Sequence, residues 1–231
     1  MTYVFPAPPT VTVPVVDTNA LFPVHRIYCV GRNYVEHAQE MGHSGREAPF
    51  FFMKPADAVQ VALPGVRTSM PYPSLTKNLH HEIELVVAIG KGGRQIAVDD
   101  ALQHMFGYAV GLDMTRRDLQ NDMKAQGRPW CIGKGFDHSA PIGPITPIAQ
   151  AGDMSQAEIS LVVNGQRRQH SKVNQLIWNI AETISQLSNA WTLQAGDLIF
   201  TGTPAGVGAV NPGDILLGSI TGLSSIDIQV V

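Results

Sequence analysis

The chain predicts an α+β fold built around a β-rich core. Three observations carry this reading. Short apolar runs recur between turn residues, only a few stretches keep helical spacing, and one hairpin signal is strong. With 231 residues, 44% hydrophobic and 15% charged, the chain is long enough to bury a sizeable single core.

Residues 1 to 25 carry Pro6, Pro8, Pro9, Val11, Val13 and Pro14. They read as an extended arm or short edge strands packed on the body, since proline cannot complete a central ladder. The body, 26–231, reads as one domain. It opens with the apolar strand Arg26 to Val30, and the polar residues Gly31, Arg32, Asn33 and Tyr34 follow where a strand end often lines a site. Val35 to Met41 has helical composition and stops at Gly42, which puts His37 and Glu40 on one helix face. Phe50 to Lys54 is a strand ending before Pro55. Asp99 or Asp100 is placed to cap a short helix through Met105, and Gly107 to Asp113 returns as strand.

Thr115 to Asp118 resembles a capping box with a shorter acid, starting a helix that reaches Ala125 before Gly127. Lys134 lies between Gly133 and Gly135, as in a loop approaching a ligand or a plain turn. Asn164-Gly165 between Ile159–Val163 and Gln166–Gln169 is the hairpin. Leu176, Ile177, Ile180, Ile184 and Leu187 predict a core-facing helix ending near Asn189. Leu198 to Thr201 is a strand, and Gly202 to Gly208 a tight loop.

Composition excludes several functions. A net charge of −3 with no Lys/Arg-rich run gives no field for nucleic acid. No apolar stretch approaches the ~20 residues that cross a bilayer, and the N-terminus lacks a basic region followed by an apolar core, so no membrane association and a cytoplasmic protein are expected. Cys29 and Cys131 read as buried free thiols. Without Gly-Lys-Ser/Thr, the loop at 202–208 is no phosphate loop.

The chemistry concentrates in His80-His81-Glu82-Ile83-Glu84 and in Asp113. On a strand, Glu82 and Glu84 share a face. Two adjacent carboxylates repel, so one takes a proton, both stay in water, or a cation sits between them. The five apolar residues after Glu84 argue for a central strand. Glu82, Glu84 and Asp113 then suit a hard divalent cation with positions left open for substrate. His80 and His81 invite zinc, but three carboxylates favour an oxygen-loving ion, leaving the histidines as supporting or packing residues. Asp118 reads as a helix-start residue.

Several motifs, in order, resemble the fumarylacetoacetate hydrolase family, in particular its short acylpyruvase branch. They are Val30-Gly-Arg-Asn-Tyr34 with His37 and Glu40; Asn78 to Glu84; Leu112-Asp-Met-Thr115 with Asp118 and Gln120; Pro129-Trp130 with Lys134; and Thr201-Gly-Thr-Pro204 with Gly206-Val-Gly208. The likeness runs from about residue 26 to the end. It implies a mixed β-sandwich roll, a homodimer, and a metal site of Glu82, Glu84 and Asp113 for Mg²⁺, with Mn²⁺ or Ca²⁺ as substitutes. By the same resemblance His37, Glu40 and Lys134 are catalytic, and Arg32, Asn33, Gln120 and Thr203 bind substrate.

The implied reaction is hydrolysis of the carbon–carbon bond of a 2,4-dioxo acid such as fumarylpyruvate. Glu40, held by His37, activates water, while the metal and Lys134 stabilise the pyruvate enolate. Oxaloacetate decarboxylation or keto–enol tautomerisation uses the same metal site without an attacking water. A catalytically silent 2-oxo acid binding protein is the third reading. Met41, His43 and Arg46 are expected to select the acyl group.

Overall fold

The computed structural model describes residues 2–35 and 46–231. Two twisted sheets stack face to face. The larger runs in the order Phe50–Lys54, Ile27–Gly31, Leu198–Phe200, Ile83–Ile89, Met105–Leu112, Ala140–Ile142, Val59–Val61, with Thr146–Pro147 also pairing on Met105–Leu112. The smaller runs Gln166–Lys172, Glu158–Val163, Ile215–Ile220, Ile226–Val230, Arg67–Met70. Parallel pairs, such as Leu198 on Ile27 and Asp227 on Arg67, sit among antiparallel ones. The mixed β-sandwich with few helices is the α+β architecture predicted.

The central strand Ile83–Ile89 is buried throughout and sorts its side chains by parity. Ile83, Leu85, Val87 and Ile89 face the smaller sheet in one apolar cluster with Ile159, Leu161, Leu216 and Ile228. Val86 and Ala88 point the other way, into a second cluster with Ile27, Cys29 and Phe200. Val13, Val15, Phe22 and Val24 cover that second face. They lie in, or directly follow, the two strands Thr12–Pro14 and Leu21–Pro23 of a small hairpin, and Ile145 N–H donates to the Pro14 carbonyl. Each fully buried side chain of this size contributes about 1.5–3 kcal/mol.

Several elements depart from the sequence reading. The run from Leu79 to Ile89 is two strands: Leu79–His81 joins a separate sheet between Thr115–Arg116 and Gly208–Val210, and Ile83–Ile89 continues in the large sheet. Glu82 stands at the break. Val98–His104 is a 3₁₀ helix whose cap residue, Ala97, offers no side-chain bond, so neither Asp99 nor Asp100 caps it. The helix Arg117–Ala125 has no side-chain cap either. Asp118 instead accepts from Thr76 Oγ1 at 2.6 Å and Lys77 N at 2.9 Å, tying down the preceding turn.

The later helix spans Ile180–Ala190, starting after Leu176 and Ile177, because Asn179 and Glu182 form a reciprocal capping box. Apolar spacing overshot a boundary that the cap sets. The hairpin stands as read, with Asn164 at φ 50° and Gly165 at φ 77°, both in the left-handed region its two-residue turn needs. Cys29 is buried, but Cys131 is exposed, against expectation; both are free. Among the described residues, no helix is long and apolar enough to cross a membrane.

Candidate active site

The register of two strands builds the acidic cluster. Ile83 pairs with Leu112 and Glu84 with Gly111. One step further, Asp113 N–H donates to the Glu82 carbonyl at 2.8 Å, so Asp113 stands opposite Glu82 and diagonal to Glu84 on one face. A Cβ on Gly111 would lie 2.6 Å from Val86 Cγ2 and 2.7 Å from the Phe200 ring. Only glycine fits across from Glu84. The three side chains are buried, each with a carboxylate oxygen within 4.8 Å of the others.

Three cations surround two of these carboxylates. Lys134 Nζ lies 2.7 Å from Glu82 Oε2, 2.6 Å from Asp113 Oδ2 and 2.7 Å from Thr115 Oγ1. Lys54, fully buried, reaches Asp113 Oδ1 at 2.8 Å and donates to the carbonyls of Met114 and Lys134. Arg117 pairs with Glu82. Glu84 touches none of them: among the described residues its side chain accepts only the Gly202 N–H, at 2.8 Å. Burial, with the charges of Asp113 and Glu82 adding to it, pushes the Glu84 carboxyl well above its ordinary range. Burial opposes the Lys134 ammonium, yet Asp113 and Glu82 outweigh it and raise its pKa.

The local chain explains these positions. The segment Cys131–Lys134 is a short helix rather than the loop expected around Lys134. A Cβ on Gly133 would stand 2.9 Å from the backbone nitrogen of Gln120, so this glycine lets the short helix press onto Arg117–Ala125 and drive Lys134 inward. Gln120 is buried, and its Oε1 accepts from Arg117 Nη1 at 2.5 Å.

A narrow cleft with an enclosed volume of about 30 Å³ opens on the cluster. Arg32, Gln120, Lys134 and Thr203 line it with the three carboxylates, and Phe50, Phe52 and Trp130 form its apolar wall. Arg32 adopts a left-handed φ of 57° and holds its guanidinium 5.4 Å from the Phe50 ring centre, its buried Nε without a partner among the described residues.

The structure thus brings together Glu82, Glu84, Asp113, Lys134, Arg32, Gln120 and Thr203. Asn33 is elsewhere: its Nδ2 donates to the Trp178 and Thr201 carbonyls at 2.9 and 2.8 Å, and its Oδ1 accepts from Trp178 N at 2.8 Å. With every bond directed at backbone, this side chain pins two loops. His37 and Glu40, and also Met41 and His43, lie outside the described residues. Arg46 stacks on Trp178 at 4.3 Å and pairs with Glu182.

His80 and His81 both serve as supports. His80 lies 2.9 Å from Asn78 Oδ1 and accepts from Arg117, and burial together with that arginine lowers its pKa to about 4. Sequence reasoning missed Lys54, Arg117 and Gln169. A lysine ending a strand of three phenylalanines was the available signal for Lys54.

The carboxylate-rich donor set fits a hard divalent cation. Glu84 is the buried acid with which no side-chain cation pairs directly among the described residues, Lys134 acting on it only at a distance, which makes a further positive charge favourable there.

Comparison with known proteins places this site in a family. The model described as Fumarylacetoacetate (FAA) hydrolase C-terminal matches residues 26–231. The chain belongs to the fumarylacetoacetate hydrolase family and has the fold of its C-terminal domain. It is 54% identical to fumarylpyruvate hydrolase from Pseudomonas aeruginosa, whose crystal structure is a complex with Mn²⁺ and pyruvate; the TM-score is 0.98, over 100% of this chain and 99% of that one. It is 45% identical to fumarylpyruvate hydrolase of Ralstonia sp over 80% of this chain and 93% of the relative. It is 40% identical to an oxaloacetate tautomerase of Escherichia coli (strain K12), over 88% and 91%.

Proposed function

We propose that the protein is a divalent-metal-dependent hydrolase cleaving the carbon–carbon bond of a 2,4-dioxo acid, fumarylpyruvate foremost, to pyruvate and a carboxylic acid. The observation that carries this reading is the buried Glu82–Glu84–Asp113 cluster joined to Lys134 at the base of one cleft. The likeness to a fumarylpyruvate hydrolase bound to Mn²⁺ and pyruvate supports it.

Glu82, Glu84 and Asp113 would hold the cation, Mg²⁺ with Mn²⁺ or Ca²⁺ as substitutes. When bound, it supplies Lewis-acid polarisation of the 2-oxo group. Lys134, held between Glu82 and Asp113 at the base of the cleft, would present an ammonium suited to stabilise the negative charge that develops as the bond breaks. Gln120 accepts from Arg117 through its oxygen, which leaves its NH₂ to donate to substrate. Arg32, which lines the cleft and whose Nε has no hydrogen-bond partner among the described residues, would pair a substrate carboxylate. Asn33 positions the loops behind the site instead of touching substrate.

His37 and Glu40 are the proposed base pair, on the family motif alone. Glu40 takes a proton from water as the oxygen adds to the 4-carbonyl. The bond between C3 and C4 then breaks with its electrons going to C3, and a proton returns to C3 to give pyruvate.

The second reading, oxaloacetate tautomerisation or decarboxylation, is favoured by the 40% identity to an oxaloacetate tautomerase. It needs the acidic cluster and Lys134 but no attacking water. We further place catalysis in 26–231, with 1–25 as a packed arm, in a cytoplasmic homodimer, which light scattering checks.

The test follows the loss of dioxo-acid absorbance and the release of pyruvate from fumarylpyruvate, acetylpyruvate and oxaloacetate, with Mg²⁺ or Mn²⁺ and then with excess chelator. Chelator-sensitive cleavage of the dioxo acids is expected. Turnover of oxaloacetate alone would transfer the assignment to the second reading. No turnover of any would leave a binding protein.

A further inference from the structure

Gln169 lies on the strand Gln166–Lys172 of the smaller sheet, outside the cleft lining, and is buried at 1% exposure. Its side chain crosses to two segments of the site. Oε1 accepts from Ile83 N at 3.1 Å, beside Glu82, and Nε2 lies 2.8 Å from both Thr203 Oγ1 and the Pro204 carbonyl.

The amide orientation is fixed twice over. A backbone N–H can only donate, so the atom facing Ile83 must be the oxygen; a carbonyl can only accept, so the atom facing Pro204 must be the nitrogen. The same logic makes His81 Nδ1, 2.9 Å from Oε1, a donor. Both protons of the amide nitrogen are then engaged, one on Pro204 O and one on Thr203 Oγ1. Thr203 receives a proton there, and its own proton must turn elsewhere. Among the described residues it meets no acceptor, and Thr203 lines the cleft.

The loop is held closely enough to keep this arrangement. At Gly206, with φ 91°, a Cβ would lie 2.0 Å from the Arg168 carbonyl, so the loop backbone lies directly on the strand that carries Gln169.

We propose that Gln169 is a positioning residue that fixes the Thr203 hydroxyl as a hydrogen-bond donor into the cleft, so that the ligand takes its place there with an acceptor oxygen, a carboxylate or keto oxygen. The proposal deepens the functional reading above and rests on the cleft being the substrate site. It makes the Thr203 position selective: a ligand presenting a hydroxyl or amine proton there meets a proton already in place.

The experiment uses the full chain loaded with Mn²⁺ and the variants Thr203→Val, Thr203→Ser, Gln169→Met and the double Gln169→Met/Thr203→Val. One hydrogen bond corresponds to roughly 3–10-fold. Thr203→Val should raise KM for the dioxo acid by that factor with kcat little changed, because the oxygen it holds is present before and during reaction. Thr203→Ser should restore wild-type values. Gln169→Met should raise KM by a smaller factor, and the double variant should be no worse than Thr203→Val alone.

Mn²⁺ affinity, followed by calorimetry, should stay within about 2-fold in every variant. If Gln169 merely held Ile83 and the backbone near Glu82, Mn²⁺ affinity would fall instead, and that outcome overturns the proposal. So do losses that multiply in the double variant, or a Gln169→Met enzyme with unchanged KM. Should Gln169→Met not fold, Gln169→Glu keeps the volume but accepts where the amide donates; it should turn the hydroxyl inward and match Thr203→Val, and wild-type KM would overturn the proposal. Calorimetric titration of Mn²⁺-loaded protein with pyruvate separates the two questions. If no dioxo acid is turned over, the functional reading falls, while the pattern across the variants in pyruvate affinity still decides the role of Gln169.

Discussion

The three-residue strand Leu198–Phe200 has a buried carboxylate near each end, and the two are treated oppositely. At the start, Asp197 accepts from His25 Nδ1 at 2.8 Å, from Arg26 through Nε and Nη2 at 3.1 and 2.9 Å, and from Gln194 N at 2.8 Å. Just beyond the other end, Gly202 gives Glu84 one backbone N–H, and two more carboxylates stand within 4.8 Å. Among the described residues Asp197 has four donors and closes a structural joint. Glu84 has one there, and its environment disfavours its own charge. Where a buried acid is satisfied by the protein it holds the fold together; where it is left short, the fold carries the cost for a ligand.

The largest expected effect tests the unsatisfied end. Glu84→Gln removes a charge that the neighbouring acids repel and a proposed metal ligand at once. Metal-dependent turnover should fall by at least about 100-fold, beyond the loss usual for residues that only support a ligand. Thermal stability in excess chelator should stay level or rise. Turnover against Mn²⁺ concentration and a melting curve in chelator measure the two parts. Survival of turnover would remove Glu84 from the metal site, and a large drop in melting temperature would erase the contrast with Asp197.

Asp197→Ala is the converse. Breaking a buried pair that also caps backbone costs about 3 kcal/mol, moderated because His25 and Arg26 keep access to water. Denaturant unfolding should show that loss, with kcat at saturating substrate unchanged. A fall in kcat without a fall in stability would mean that the two ends of the strand are coupled.

The contrast was only half visible in the amino-acid sequence. Glu82, Glu84 and Asp113 could be read because strand parity and one apolar run placed them. The sandwich could be read from short runs and the Asn164-Gly165 turn. Asp197 carried no comparable pattern, since its partners at 25 and 26 are brought to it by the parallel pairing of Leu198 with Ile27. Lys54, Arg117 and Gln169 were missed for a related reason. A lysine, an arginine and a glutamine have no periodic signature, and each gains meaning from a partner dozens of residues away. Helix starts failed locally: Asp118 looks like a cap but bonds backward to Thr76 and Lys77, while the working cap, Asn179 with Glu182, lay inside a stretch whose apolar spacing suggested continuous helix.

The smallest effect sharpens the comparison with a satisfied acid at the surface. Asp118 is half-buried; burial acts to raise its pKa, but hydrogen bonds from Thr76 Oγ1 and the Lys77 and Leu119 amides outweigh it and hold the carboxyl below its ordinary value of 3.8. The folded state therefore binds that proton less readily than the unfolded chain. Its contribution is present in full above the unfolded value and is lost as pH falls through the folded one. In Asp118→Asn the neutral amide cannot titrate, so this part of the acid slope should disappear while stability near neutrality drops slightly. Melting temperatures of both proteins from about pH 6 down to about pH 2 should converge in acid. A constant offset at every pH would mean that Asp118 acts through packing rather than charge, and that satisfaction by hydrogen bonds, the property it shares with Asp197, is not what holds the turn.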